Sequence, residues 1–525
     1  MTNSYNLTEE QEQCIEAAKL GKNIKIKAFA GSGKTSTLAA IARNLDGRGL
    51  YFAYNKAIQQ EALGKFPDHV ECKTAHSLAY RNYARFLRGR VQNLTIFDIQ
   101  DHICVDGVAF YTDTDIAYGA LYLLRDFANS AYDQIDNEYL ASAVFDKVIE
   151  NSTSANIKPS KLKKVAWDIT NKIVDVASNY WQKCKASNSK LPIEHDFYLK
   201  LFQLSTPNLA SDYDFILFDE CQDANPVLLD ILSKQQCQKI YVGDAHQQIY
   251  SWRGSINAFS KLEGEEYYLS QSFRFGDVIA RMASIILYAK QEQKLLRGYD
   301  QVNSSIVNLD ECQESITILC RTNAKIIEEI IERHNKPIFV VGGVSEMLNL
   351  AKSGYALFKG DKKNITHRKI KQFKDWSAML HFNHQYQDAE LTLLANLIKR
   401  YSYSFADVIK KVENANYTHT ESEANFIFST IHKSKGREWR NVILEDDFLI
   451  FSNNTSMATI ISQEQEEMNL IYVGITRAIN NLHMRAGVYG FIKKLVGDTE
   501  DQHQEQTTNT ENVSPAIIGN EVAIA

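Results

Sequence analysis

Several short stretches of the 525-residue chain carry side chains suited to phosphate chemistry. In "AFAGSGKTST" (28–37) an apolar run ends in a glycine-rich turn followed by Lys-Thr. Gly31 and Gly33 let backbone N–H groups close around phosphate oxygens, Lys34 brings a cation to the β- and γ-phosphates, and Thr35 offers a hydroxyl to Mg2+. The strict pattern starts with glycine where this chain has Ala28. "FILFDECQD" (215–223) is an apolar strand ending in paired carboxylates. Asp219 suits Mg2+, and Glu220 suits the base that orients and deprotonates an attacking water. Alone, such a strand end is a weak signal; downstream of a phosphate loop it supplies the two acids that phosphoryl transfer needs. Arg274 in "LSQSFRF" and Arg477 in "IYVGITRA" are candidates to neutralise γ-phosphate charge from an opposing domain. A lone arginine is far more often a surface ion pair, so their surroundings must decide. In "YVGDAHQQIYSWRGS" (241–255) a strand end is followed by two glutamines, then Tyr250, Trp252 and Arg253. That puts an amide sensor beside a base-sized aromatic.

These residues need strand ends to hold them, and the chain provides such ends in two series. "NIKIKAFA", "GLYFAY", "VECKTA", "FILFDE" and "KIYVGD" form the first; "SITILC", "PIFVVGG", "FIFSTI", "NVILED" and "NLHMRA" form the second. Short apolar strands alternating with helical periodicity predict parallel α/β layers. Helical spacing fills the gap from about 85 to 205 and a second gap from about 345 to 422. The second gap contains "KGDKKNITHRKIKQFK", with seven Lys or Arg against one Asp, which fits either a solvated face or a phosphate contact. The tail from about 496 is polar and aromatic-free and predicts disorder.

Composition narrows the function class. A net charge of −6 makes no case for nucleic acid from the whole chain, but leaves room for a local basic channel. No apolar run reaches the length of a membrane span, and the N-terminus is unlike a targeting peptide. Eight dispersed cysteines without a CxxC pair give no metal framework and point to reduced thiols, so a cytoplasmic location is expected.

In order, "LTEEQ", "AGSGKT", "AYNKAI", "TAHSLAY", "DECQD", "VGDAHQQIYSWRGS", "LSQSFR", "CRTNA", "TIHKSKGREW" and "YVGITRA" resemble the Q motif and motifs I to VI of superfamily 1 helicases of the UvrD/Rep/PcrA type. They span residues 7 to about 486, and the wording is most similar to the F-box DNA helicase branch, although no F-box segment precedes the Q motif. The resemblance implies two RecA-like P-loop NTPase domains, each with a helical insertion, and ATP with Mg2+ in the cleft between them. Residues 1–85 and 206–268 would form domain 1A, 86–205 insertion 1B, 269–344 and 423–495 domain 2A, and 345–422 a reduced insertion 2B.

Carried over residue by residue, the nucleotide would be held by Gln11 on adenine, by Ala30, Gly31, Ser32, Gly33, Lys34, Thr35 and Ser36 on phosphates, by Phe273 stacking on the base, and by Glu438 on ribose. Thr35 and Asp219 would hold Mg2+, Gln247 would sense the γ-phosphate, and Arg274 and Arg477 would meet it. Tyr54, Asn55, His76, Trp252, Arg253, Arg321, Asn323 and His432 fall at strand-contacting motifs; His432 fits core packing equally well. Ala53 and Tyr54 stand where better-known members place Phe and Thr, which shifts or removes the stacking expected there.

The activity implied is ATP-dependent DNA unwinding or translocation, 3′→5′ on single strands. The expected partners are single-stranded DNA and duplex/single-strand junctions, with a separate nuclease, repair or replication protein possible and a monomeric motor. A DNA-stimulated ATPase serving as a regulatory or assembly subunit is the alternative. A fused nuclease is disfavoured, because only about 35 residues follow the last strand.

Overall fold

The computed structural model describes residues 7–53, 56–151, 159–186, 188–249, 258–310, 312–386, 389–448, 450, 460–461 and 464–506. The chain folds into two compact units, Met1–Lys27 with Lys34–Tyr268, and Ala28–Gly33 with Leu269–Ala525.

The first unit is built on a six-stranded sheet of β1 (Ile24–Ala28), β2 (Gly49–Ala53), β3 (Val70–Thr74), β4 (Phe215–Phe218), β5 (Gln238–Gly243) and β6 (Glu265–Leu269), in the order β3-β2-β4-β5-β1-β6. The pairings from β3 through to β1 are parallel. β2 and β4 are buried on both faces, as the uninterrupted runs "GLYFA" and "FILF" require of strands covered by helices on each side. β1 alternates instead. Ile24, Ile26 and Ala28 point inward, while Lys25 and Lys27 reach Glu266 of β6 at 3.1 and 2.7 Å. That charge pattern, "EEYYL" against "IKIK", is why β6 lacks the apolar run by which the other strands are recognised; the sequence reading did not include it.

Between β3 and β4 the chain is helical, with the longest pieces at Asp113–Asn129 and Pro159–Lys185. These helices do not form a separate globule. Phe127, Ile173, Tyr180 and Phe197 share one continuous core with Leu50, Phe52, Ile216 and Phe218 of the sheet.

The second unit has its own sheet of β7 (Ser305–Ile306), β8 (Ile316–Cys320), β9 (Ile338–Val340), β10 (Phe426–Thr430), β11 (Trp439–Leu444) and β12 (Ala478–Met484), ordered β7-β12-β11-β8-β10-β9 with every pairing parallel. β7 is only two residues long and offers no periodicity to read. Helices fill the connection between β9 and β10, from Ser345–Phe358 to Phe405–Glu413.

The last helix, Ala486–Gln506, runs past residue 496, where the polar composition predicts disorder to begin. Val488, Phe491, Ile492 and Leu495 bury its first half, and adding residues to an existing helix is far easier than starting one, so "DTEDQHQEQ" continues it. Residues 507–525 lie outside the described residues.

Candidate functional site

The glycine-rich loop links β1 to α2 (Lys34–Arg43). Gly31 and Gly33 have φ of +74° and +78°, a region that glycine enters without steric penalty. Space enforces glycine at 31 as well. A Cβ there would lie 2.4 Å from Ser272 Oγ and 2.8 Å from Arg274 Cβ, both in the second unit, to which residues 28–33 belong. The Phe273 N–H donates to the Gly31 carbonyl at 2.8 Å in the same stretch. Ser32 is buried and donates its hydroxyl to the Phe29 carbonyl; Ala30 is buried and Ser36 exposed.

Within the first unit, the order β2-β4-β5-β1 gathers four strand ends. Lys34 and Thr35 open α2 after β1, and Asp219 follows β4. Asp219 is 1 % exposed. Its Oδ2 accepts from Thr35 Oγ1 at 2.7 Å and from Tyr51 Oη at 2.8 Å, and its Oδ1 from the Glu220 N–H at 2.9 Å. Burial, with Glu220 adding like charge, pushes the Asp219 carboxyl above its usual range; Thr35, Tyr51 and Lys34 pull the other way. A hydroxyl and a buried carboxylate that gains from a nearby cation form an oxygen donor set suited to a small hard metal. The residues fit Mg2+.

Glu220 sits in the left-handed region at φ +51°, uncommon for a residue with a side chain and concentrated at functional sites. Its carboxylate lies 3.9 Å from Lys34 Nζ and accepts from Gln222 Nε2 at 2.5 Å. Gln222 Oε1 in turn accepts the Asp244 N–H at 3.0 Å, and Asp244 accepts from Gln247 Nε2 at 2.8 Å. An unbroken relay therefore joins the candidate base to the candidate sensor through the end of β5. Tyr51, Gln222 and Asp244 are the three members that no motif in the sequence singles out.

Gln11 closes the start of α1 (Glu9–Lys19). Its side-chain oxygen accepts the Thr8 N–H at 3.0 Å and its amide donates to Thr37 Oγ1 at 2.9 Å, which fastens α1 to α2.

The second unit brings Arg274, Glu438 and Arg477 together. Arg274 Nε donates to Glu438 Oε2 at 2.5 Å and its Nη1 to the Thr476 carbonyl at 2.9 Å. Arg477 is 1 % exposed and donates to the carbonyls of Val473 and Arg437 and to Thr476 Oγ1. Phe273 is partly exposed, with Tyr299 edge-on at 5.5 Å between centroids.

The described strand-contact candidates are divided between the two units. His76, in the first unit, pairs with Asp196 at 3.0 Å, with Tyr198 edge-on to its ring. Arg321, in the second, is held by Glu467 at 2.7 Å. Asn323 opens the helix Asn323–Arg333, and His432 is half-buried in the short turn Ile431–Ser434. Tyr54, Asn55, Trp252 and Arg253 lie outside the described residues. Among the described residues no helix is long and apolar enough to cross a membrane.

Comparison with known proteins places these elements in context. Residues 7–267 match the UvrD/REP helicase N-terminal domain. The chain is 30 % identical to F-box DNA helicase 1 of Gallus gallus over 511 residues, covering 90 % of this chain and 48 % of that protein. It is 31 % identical to F-box DNA helicase protein 1 of Schizosaccharomyces pombe over 523 residues, covering 91 % and 57 %. Similarity to the ATP-dependent DNA helicase PcrA of Staphylococcus epidermidis is 24 % over 395 residues, 64 % of this chain and 51 % of that protein. The chain thus spans about half the length of these relatives.

Proposed function

The chain belongs to the UvrD/Rep helicase family, and from that premise we propose that it is an ATP-dependent DNA helicase or translocase moving 3′→5′ on single-stranded DNA. The observation that carries the reading is the constellation of Lys34, Thr35, Asp219 and Glu220 at the ends of β1 and β4, the two strands that flank β5, with Glu220 tied through Gln222 and Asp244 to Gln247.

In this reading the loop of residues 30–36 cradles the phosphates and Lys34 faces the β- and γ-oxygens. Thr35 and Asp219 hold Mg2+, which when bound offsets phosphate charge. Glu220 orients the attacking water and takes its proton. The left-handed backbone and the Gln222 amide fix its carboxylate in place. Gln247 senses the γ-phosphate from the other end of the relay. Arg274 and Arg477 stabilise the charge that develops as the phosphoryl group transfers, so nucleotide must compete with Glu438 for the Arg274 guanidinium. Gln11 and Phe273 take the adenine and Glu438 the ribose. His76, Arg321, Asn323, His432, Trp252, Arg253, Tyr54 and Asn55 are assigned to the strand, which together with duplex/single-strand junctions is the substrate.

The test is strand separation of a forked duplex with ATP and Mg2+, comparing 3′- and 5′-tailed forks. Unwinding confined to the 3′-tailed fork and lost in Lys34→Ala supports the proposal. ATP hydrolysis stimulated by single strands with both forks left intact would reassign the protein as a regulatory DNA-stimulated ATPase.

A further inference from the structure

The basic run in the helical connection between β9 and β10 has no part in the chemistry above. Residues 345–422 carry twelve Lys or Arg against eight Asp or Glu, the reverse of the chain's overall balance of −6. Lys359, Lys362 and Lys363 are exposed, within five residues of one another, where the helix Ser345–Phe358 gives way to the turn Lys362–Asn364.

An aromatic surface adjoins them. Tyr403 is 76 % exposed, the highest value of any large hydrophobic among the described residues. Its position is built rather than frayed. Ser402 takes φ +45°, a left-handed value unusual for a residue with a side chain, and starts a tight turn over Ser402–Ser404. The Tyr355 hydroxyl donates to the Tyr403 carbonyl at 3.1 Å and pins that turn to the first helix of the connection. Lys359 Nζ lies 4.4 Å from the centroid of the Tyr403 ring and 5.8 Å from that of Tyr355, so the ammonium rests on the Tyr403 ring. Folding thus holds a large ring in water with a cation against it and two more lysines close by in sequence.

We propose that Tyr403 is a stacking platform for one base of a DNA single strand, with Lys359, Lys362 and Lys363 facing its phosphates. The charge selects a polyanion. The exposed ring selects one whose bases are unstacked and accessible, which a strand offers and a duplex does not. The site rests on the reading of the chain as a DNA-acting motor and extends it to the second unit's helical connection, outside every motif used to assign the strand contacts.

The experiment uses the full chain and an oligothymidylate carrying a photoactivatable halogenated uridine, with crosslinked peptides identified by mass spectrometry. A crosslink is expected in the peptide holding Tyr403. Tyr403→Ala should remove it and weaken strand binding about fivefold or more, the lower end of what one stacked base contributes. Tyr403→Trp should restore both, which a purely structural loss would not allow. DNA-free ATP hydrolysis should be unchanged in both variants. Lysine neutralisation at 359, 362 and 363 should flatten the salt dependence of binding. Strand binding with no crosslink at Tyr403 and unaltered affinity in Tyr403→Ala overturns this site alone. Crosslinking from blunt duplex but not from the single strand overturns the single-strand assignment. Failure of the wild-type chain to bind the oligonucleotide at all would remove the DNA-motor reading together with this one.

Discussion

Tyr51→Phe isolates the contribution of one buried hydroxyl to the candidate metal site. The ring lies in β2, beside β4 in register with Leu217, and its hydroxyl reaches past the end of β4 to Asp219 Oδ2 at 2.8 Å. Phenylalanine keeps the ring and its contact with Phe66, 4.4 Å away between centroids, and removes only the O–H donor. Burial and the neighbouring carboxylates push the Tyr51 phenol far above its usual value, so it keeps its proton and donates. A hydrogen bond to a charged group contributes about 1.5–3 kcal/mol. At about 2–4 °C per kcal/mol for a unit of this size, the transition of the first unit should fall by about 3–12 °C at neutral pH.

The sign of the pH dependence follows from Asp219. Its folded pKa lies above the ordinary carboxylate value, so over that window the folded chain holds a proton that the unfolded chain has released. Stability contributed by this group therefore declines as pH rises through the window. Loss of the Tyr51 bond, which favours the ionised form, raises the folded pKa further and steepens the decline. The gap between wild type and variant should widen from acid to neutral pH in calorimetric scans without nucleotide. Equal melting temperatures at neutral pH, or a gap that does not change with pH, would refute the reasoning.

Glu220→Gln should retain nucleotide binding but cost about 10²–10⁴ in turnover, read by nucleotide affinity and steady-state hydrolysis; equal losses in both would remove Glu220 as the base. Arg274→Ala should lower turnover about 10³-fold or more, and steady-state hydrolysis near wild type would remove its guanidinium from the reaction. Arg477→Ala should lower both, because its guanidinium supplies buried carbonyls of Val473 and Arg437; an unchanged melting temperature would contradict that burial. Gly31→Ala should abolish hydrolysis, because the new methyl meets Ser272 and Arg274 at a positive φ; activity near wild type would show that the loop has room to move.

What could be read in the sequence was the local part of this design. The phosphate loop is contiguous, so "AGSGKT" announces both its glycines and the lysine that opens α2. "FILFDE" likewise carries its strand and its acids together. Tyr51 was invisible because nothing in "GLYFAY" distinguishes a tyrosine packed in an apolar strand from one whose hydroxyl reaches a carboxylate 168 residues later. The pairs Arg274–Glu438, His76–Asp196 and Arg321–Glu467 span 164, 120 and 146 residues, and a motif fixes each arginine or histidine without naming the acid that holds it. β6 escaped for the opposite reason: its partners on β1 are lysines, so pairing is marked by charge and not by an apolar run.

The strand order of the first sheet also sets a timetable for synthesis. β1 lies against β5, with Ile24 facing Ile240, so the strand that carries the phosphate loop waits for a neighbour about 216 residues downstream. At about 5–20 residues per second, that is roughly 10–40 s during which β1 has left the ribosome without it. Sheet edges exposed for so long are where a nascent chain is most open to chaperone capture or to pairing with another copy. A ribosome-arrested chain ending before Gln238 should therefore retain no ATP, whereas the full chain should, and gain of binding by the shorter chain would contradict this order of assembly.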